Sequence, residues 1–336
     1  MIDMPGPGKE DSRRPKVTAP SDSERERVAA IIRRPRIAAL ISGSVVVIAV
    51  AVDLFWLDRT SGLLLGAIVI AGLVCVVALW NVINFSWRAV TRLRSLAPKV
   101  GGRFTLWAGG SGGHGGGQFT SGVAHQRFGV LKFSENGAQV EIGHFASEVA
   151  VRQTSPMGRS IGYVAVRLPE RLPNIFLRGG RHAQVLGMRW TPEPWHRSQR
   201  IDVGAGRRFR VFVGDGGEQI ARAFFDPDLV QVLRRVSRQY DVEIKDRTLY
   251  LYAARSVASG TERRWRAQLP MIAELVTSMS SSAVWDLVRR QSRGRGPAYG
   301  DLRVNGTRLA VMIGGAGVVA VVVLSFLALW GAGLLA

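Results

Sequence analysis

Long apolar runs alternate along the chain with stretches in which apolar and polar residues are mixed. Three runs, 37–57, 62–85 and 309–336, are almost entirely apolar, and the last two carry no charged residue. Each is about as long as a bilayer-crossing helix, since roughly 20 apolar residues span the hydrocarbon core. The pattern therefore predicts three transmembrane helices: an N-terminal hairpin at 37–57 and 62–85, and a C-terminal helix at 309–334.

Between the second and third runs, short stretches of β-branched and aromatic residues indicate strands. "RFGVLKF", "AQVEIGHF" and "IGYVAVRL" are bounded by Gly, Asn, Pro or Ser. "DPDLVQVLRRVSRQY" instead has helical spacing, with Asp226 as N-cap and Pro227 in the first turn. "DVEIKDRTLYLY" predicts a β-hairpin that turns near 245–247, and Pro270 is predicted to begin a helix ending near Gln291. Strands followed by helices predict a membrane-anchored α+β fold with a mostly antiparallel sheet.

The polar N-terminal residues differ from the rest of the chain. Residues 1–30 are rich in charge and proline and lack aromatic residues, which predicts a disordered basic tail. Within and just beyond it, 22–35 can form a short helix capped by Ser21 or Asp22. The other predicted parts are a basic helical extension with a glycine-rich loop at 86–126 and a cytoplasmic α+β domain at 127–295.

Lysine and arginine near the ends of the apolar runs predict the orientation. Residues 1–36 carry nine of them and 58–61 only one, whereas Arg303 and Arg308 precede the third run. This distribution predicts a multi-pass protein of the bacterial plasma membrane, with a cytoplasmic N-terminus and central domain and an extracytoplasmic C-terminus. The single cysteine, Cys75, excludes an intramolecular disulfide and fits a reducing compartment.

Positive charge is concentrated in the central region. The chain has a formal net charge of +20, and nearly all its cations are arginine. Guanidinium groups suit bidentate phosphate contact, but a GC-rich genome would also favour arginine codons. Near a membrane such cations would also attract anionic head groups. The candidate contacts to anionic lipid or phosphate are Arg207, Arg208, Arg210, Arg289, Arg290, Arg293 and Arg295.

A glycine-rich stretch at 108–122, "AGGSGGHGGGQFTSG", contains a literal G-x-G-x-x-G match. A dinucleotide site needs a strand before these glycines and a helix after them. The residues that follow have no helical period, and no lysine lies between 100 and 131 to complete a P-loop. The stretch is therefore interpreted as a mobile connection rather than a nucleotide site, and no cofactor is predicted.

The sequence offers no catalytic or metal-binding pattern. The five histidines are not spaced as zinc ligands, no second cysteine is present, and no serine stands in a G-x-S-x-G turn. Small residues spaced four apart in the apolar runs can let helices approach closely. These candidate helix-packing residues are Gly62, Gly66, Ala310 and Gly314.

The central sequence resembles an uncharacterised family of actinobacterial membrane proteins. The likeness lies in "RLPERLPNIFL", in the helix start "FDPDL" and in the closing "YDVEI" and "LYLY". It implies an N-terminal transmembrane hairpin and a cytoplasmic α+β domain of unknown function, and it implies no reaction. The C-terminal apolar run and the glycine-rich stretch are departures from the family pattern.

Together these patterns predict a non-enzymatic integral-membrane protein that presents a basic cytoplasmic binding or scaffold module. The expected partners are the bilayer with its anionic head groups, and a protein partner or a second copy. The alternative is an enzyme or binder that acts on a lipid or lipid-linked substrate. Nucleic-acid binding is not favoured, because basic and aromatic residues are not interleaved on one surface as in single-strand binders.

Overall fold

The fold is given by a computed structural model. It describes residues 20–33, 37, 44, 87–120, 123–149, 157–178, 184–185, 188–189, 199–203, 209–253, 257, 262–292, 299–300 and 302.

Seven α-helices are formed by the described residues. They are α1 (22–33), α2 (Trp87–Leu96), α3 (Gly117–Thr120), α4 (Glu218–Phe224), α5 (Pro227–Val236), α6 (Glu262–Ser280) and α7 (Val284–Ser292). A 3-10 turn, Ala97–Val100, follows α2 directly.

Nine strands make up the sheets of the described residues, and all their pairings are antiparallel. They are β1 (Arg103–Trp107), β2 (Val123–Glu135), β3 (Ala138–Val149), β4 (Met157–Arg178), β5 (Gln184–Val185), β6 (Met188–Arg189), β7 (Arg200–Ile201), β8 (Arg210–Val213) and β9 (Asp241–Ala253). β5 and β6 form a separate hairpin, and the other seven form one sheet.

The long strand β4 organises the main sheet. Its first half pairs with β3, its last residues pair with β8, and β9 follows it through both halves. The path therefore runs β1-β2-β3-β4-β8-β7, with β9 paired to β4 outside it. Since residues alternate between the faces of a strand, β4 contributes side chains to both sides of the sheet.

One face of the sheet packs on helices and forms the main core. Val164 and Val166 of β4 belong to this cluster, together with Leu93 of α2, Leu233 of α5 and Leu275 of α6. The spacing of buried residues in α5 is that of an amphipathic helix, because Leu229, Val232, Leu233 and Val236 share one face. The helices thus lie on the sheet through apolar stripes, with their charged residues outward.

The predicted fold class is wrong in its membrane part. None of the helices in the described residues is long and apolar enough to cross a membrane. The longest, α6, has 19 residues, but it contains Pro270 and includes charged residues, among them Arg263 and Glu274. The predicted helices 37–57, 62–85 and 309–334 lie outside the described residues, apart from Ile37 and Ser44. The description as an integral-membrane protein is therefore corrected to an antiparallel sheet with helices.

Two further local predictions are wrong. The stretch predicted as a hairpin near 245–247 is the single strand β9, which passes its irregular point at Asp246 with φ +55 and continues along β4. Pro270 lies inside α6 rather than at its start, and that helix ends at Ser280 before α7 begins. In both places a turn-forming residue is accommodated inside an element by the neighbouring packing.

Two predicted helix caps are confirmed. The Asp226 carboxylate accepts a hydrogen bond from the Leu229 amide at 2.8 Å, and Pro227 is the first residue of α5. At α1, the Ser21 hydroxyl accepts from the Glu24 amide at 3.3 Å, and the Glu24 carboxylate accepts from the Ser21 amide at 3.0 Å. This reciprocal pair is a capping box, so residues predicted to belong to a disordered tail are helical from 22 onward.

Candidate functional site

The second face of the sheet is covered by the glycine-rich stretch. Residues 108–120 cross this face and end in the single turn α3. Beneath them lies a group of polar and aromatic side chains that is separate from the main core. We call it the glycine-loop cluster, and its members are His114, Phe119, Arg127, Glu141, Phe145, Tyr163, Glu243, Tyr250 and Tyr252.

Glu141 of β3 is the polar centre of one half of the cluster. Its Oε1 accepts hydrogen bonds from Arg127 Nη1 at 2.6 Å and from the Tyr163 hydroxyl at 2.5 Å. His114 Nε2 lies 3.0 Å from the same oxygen, and Lys132 Nζ lies 3.1 Å from Oε2. Three neighbouring strands and the glycine-rich stretch therefore meet at one carboxylate.

The surroundings of Glu141 keep it ionised. Burial alone would raise the pKa of Glu141, but the hydrogen bonds from His114 and Tyr163 and the charges of His114 and Arg127 lower it well below its usual range. Burial, with the Glu141 carboxylate beside it, raises the pKa of the Tyr163 hydroxyl well above its usual value. The pair is thus a carboxylate accepting from a neutral tyrosine.

Glu243 of β9 holds the other half of the cluster. Both of its carboxylate oxygens lie 2.9 Å from the Gly117 amide nitrogen, and the Tyr252 hydroxyl donates to Oε2 at 2.7 Å. The Gly115 amide donates to the Tyr250 hydroxyl at 3.2 Å. Burial raises the pKa of Glu243, although the bonds from Tyr252 and Gly117 act against that rise.

Phe119 fills an aromatic slot between these two carboxylates. Its ring is fully buried, and its centroid lies 4.6 Å from Phe145, 4.9 Å from Tyr163 and 5.5 Å from Tyr250. The tilted and edge-on arrangements are those that aromatic pairs prefer. Phe119 thereby anchors the glycine-rich stretch to the sheet.

Glycine is required where the stretch approaches the cluster most closely. A Cβ at Gly116 would overlap the Tyr252 hydroxyl, and a Cβ at Gly112 would overlap the Arg127 guanidinium. Gly112 also has φ +66, which side chains disfavour. The glycines therefore fit a tight cover, and the interpretation of the stretch as a mobile connection is replaced by an ordered one.

A carboxylate beside histidine, tyrosine and arginine has the chemistry of an acid–base site, but here these groups bind one another. The side chains of His114 and Glu141 keep only 12% and 11% of their surface exposed. Glu141 Oε1 already accepts from several donors, so the arrangement stabilises the cover rather than leaving a position for substrate. Among the described residues no group of three or more His, Cys, Asp or Glu side chains could hold a metal ion.

A separate open groove lies between α1 and α2. One cavity of about 390 Å³ is lined by Arg25, Glu26, Ala29, Ile32, Arg33 and Trp87. An adjoining cavity of about 220 Å³ is lined by Pro20, Arg25, Trp87, Val90, Thr91, Arg94, Phe104 and Leu106. Arg25 and Trp87 border both, and we call the two together the Trp87 groove.

The Trp87 groove combines an apolar floor with a cationic rim. Ile32, Val90 and Phe104 are buried in its floor, whereas Trp87 keeps 36% of its surface exposed. Tryptophan is enriched among the residues that dominate binding at protein interfaces. The sequence predicts a basic helical extension that contains Trp87, but it does not predict Trp87 as a site residue. The available signal is a tryptophan beside Arg88 in a basic segment.

Three of the seven arginines predicted as candidate contacts are described, and none of the three belongs to the glycine-loop cluster or the Trp87 groove. Arg210 is exposed on β8, opposite Arg178 of β4. Arg289 and Arg290 are exposed on α7, and Arg289 donates to Asp286 at 2.7 Å. The remaining candidates lie outside the described residues; they are Arg207, Arg208, Arg293, Arg295, Gly62, Gly66, Ala310 and Gly314.

Comparison with known proteins gives little further information. No protein-family model and no curated protein matches the chain. One solved structure, the mycobacterial trehalose monomycolate transport factor A, TtfA, is similar with a TM-score of 0.40 and 12% sequence identity. The similarity covers 57% of this chain and 95% of that one. At this level of similarity, neither fold nor function is transferred to this chain.

Proposed function

We propose that the protein is a non-enzymatic binding or scaffold module that recruits a protein partner through the Trp87 groove. The observation that carries this proposal is the partly exposed Trp87 side chain, which borders both cavities of the groove and stands beside Arg25. Tryptophan and arginine are the residues on which binding energy at protein interfaces most often depends.

The glycine-loop cluster supports the non-enzymatic part of the proposal. A general acid or base must reach the proton that it transfers. His114 and Glu141 are nearly covered and are bonded to each other, and the Glu243 carboxylate is occupied by Gly117 and Tyr252. These groups therefore stabilise the glycine-rich stretch on the sheet.

The proposal is tested by recovering partners of the tagged full-length protein from its own cells and comparing variants. The wild type is expected to carry a stoichiometric protein that Trp87→Ala loses. Arg234→Glu is the matched control, because Arg234 is exposed on α5, away from the groove lining. Recovery of the same partner by Trp87→Ala, or no partner with either protein, would contradict the proposal.

A further inference from the structure

We infer that the Trp87 groove takes an acidic amphipathic helix of a partner protein, with its apolar face in the groove and its carboxylates on the rim. The inference rests on the proposed function and adds the chemistry of the partner. It follows from the charge of the rim, the apolar floor and the helical walls, which are independent features of the groove.

The rim has positive charge that the described residues leave available. Arg33 and Arg94 line the groove and form no ion pair with a described carboxylate. Arg25 is paired with Asp22 at 3.9 Å, and both side chains are largely exposed, so the pair is weak. Glu26 is the one carboxylate in the lining of the two cavities, and Arg25, Arg33 and Arg94 outnumber it. A partner that supplies carboxylates is therefore electrostatically complementary.

The floor accepts apolar side chains. Ile32, Val90, Phe104 and Leu106 are each less than 9% exposed and lie at the bottom of the two cavities. The two cavities adjoin at Trp87 and Arg25, so apolar anchors in both would lie on opposite sides of the tryptophan. Leucine-like residues spaced three or four apart on a helix satisfy that arrangement.

The walls of the groove accommodate a partner helix. α1 and α2 form two of its sides, and β1, the edge strand of the main sheet, contributes Phe104 and Leu106 to the lining. A partner helix needs no pairing with that edge, because it satisfies its own amides and carbonyls. α1 is 12 residues long, or about 18 Å, which matches a partner helix of roughly three turns.

The experiment uses the full-length protein and a labelled synthetic peptide. The peptide has about three helical turns, with leucines at spacings of three and four and glutamates on the opposite face. Its twin carries glutamine in place of every glutamate. Binding is followed by fluorescence anisotropy at low and high salt. Anionic vesicles of phosphatidylglycerol are tested in parallel, and the oligomeric state is measured by light scattering.

The acidic peptide is expected to bind at least about tenfold more tightly than its glutamine twin. Affinity should fall as salt rises, since the rim charges are exposed. Trp87→Ala, and separately Arg33→Glu with Arg94→Glu, should each weaken binding about tenfold, whereas Arg234→Glu should leave it unchanged. All of these side chains are at least partly exposed, and matching thermal unfolding of the variants would exclude loss of fold as the cause.

Other outcomes overturn the inference in distinguishable ways. If both peptides bind equally but Trp87→Ala still abolishes recovery of the cellular partner, the proposed function stands and the acidic partner is wrong. If vesicles bind in a Trp87-dependent manner and the peptide does not, the groove takes lipid. If Trp87→Ala instead dissociates a dimer of this chain, the occupant is a second copy. If neither the binding of the peptide nor the recovery of the cellular partner depends on Trp87, the proposed function is wrong as well.

Discussion

At the scale of single residues, Gly116 shows how closely the glycine-rich stretch fits its sheet. A Cβ there would overlap the Tyr252 hydroxyl and lie 3.0 Å from carbons of the Tyr250 ring. Gly116→Ala is therefore expected to lower the free energy of unfolding by about 1–3 kcal/mol, as overpacking does. Urea denaturation followed by circular dichroism measures the loss.

Gly115→Ala is the matched control for this change. A Cβ at Gly115 would lie 3.7 Å from Lys245 Cγ and 3.8 Å from Asp246 Oδ2, which is ordinary contact. The control should change the free energy of unfolding by less than about 0.5 kcal/mol. Equal losses in the two variants would mean that Gly116 is not the point of closest fit.

His144 predicts a pH dependence of stability. It is fully buried, stacks on Phe128 and lies 3.3 Å from the Phe128 carbonyl oxygen through Nδ1. Burial lowers the pKa of His144 from 6.5 to about 4. As the pH falls, His144 is therefore protonated in the unfolded chain before it is protonated in the folded protein. The stability that the buried neutral ring contributes is complete above pH 6.5 and is lost as the pH falls toward 4. The loss is about 3 kcal/mol.

The measurement compares the wild type with His144→Gln, whose side chain can still donate to the Phe128 carbonyl. Free energies of unfolding are determined between pH 7.5 and pH 4. The wild type should lose more stability than the variant across this range, and the excess should develop below pH 6.5. Parallel curves for the two proteins would show that His144 does not titrate as inferred.

At the scale of secondary-structure elements, the N-cap of α5 shows how much one capping residue contributes to the free energy of unfolding. The Asp226 carboxylate accepts from the Leu229 amide at 2.8 Å, and Ser282 lies 3.5 Å from its other oxygen. Asp226→Ala is expected to lower the free energy of unfolding by about 1 kcal/mol. Asp228→Ala, at an exposed position of the same first turn, should cost less than half of that. Thermal unfolding of both variants distinguishes a cap from a general effect of charge.

The sequence predicted elements correctly where the signal was local. Asp226 and Pro227 specify a helix start within four residues, and the antiparallel strands follow from β-branched alternation. The predictions failed where tertiary packing decides. Asp246 has a turn-like φ, yet β9 continues because β4 pairs with it on both sides of that point. Pro270 lies within α6 for a similar reason, since Leu269 before it and Ile272 beyond it both pack against the core.

The candidate sites were harder to predict from the sequence than the helices and strands. Glu141 and His114 are 27 positions apart, and Glu243 is 126 positions from Gly117. Only the sheet register brings them together, so no motif could indicate the glycine-loop cluster. The G-x-G-x-x-G match was interpreted as part of a mobile connection rather than as a nucleotide site. In the structure its glycines allow the backbone to lie close to side chains of the sheet.

At the scale of the whole molecule, β4 joins the two faces of the sheet into one cooperative unit. Val164 packs in the main core, while its neighbour Tyr163 belongs to the glycine-loop cluster and Ala165 packs with that cluster. Leu251 of β9 pairs with Val164 and is fully buried. Loss of packing on the helix side should therefore be transmitted to the glycine-rich stretch on the other side, because both depend on the same strands.

Leu251→Ala tests this coupling through hydrogen exchange. Truncation of a buried leucine costs about 2–5 kcal/mol, and the expected result is an equal loss of protection at the amides of Val164 and Gly117. The Gly117 amide is included because it reports on the glycine-loop cluster through its bond to Glu243. The β5–β6 hairpin, with two residues in each strand, is the internal reference and should exchange rapidly in both proteins. If Gly117 kept its protection or exchanged rapidly already in the wild type, the glycine-rich stretch would open independently of the core. The two faces would then be separate folding units that share only the backbone of β4.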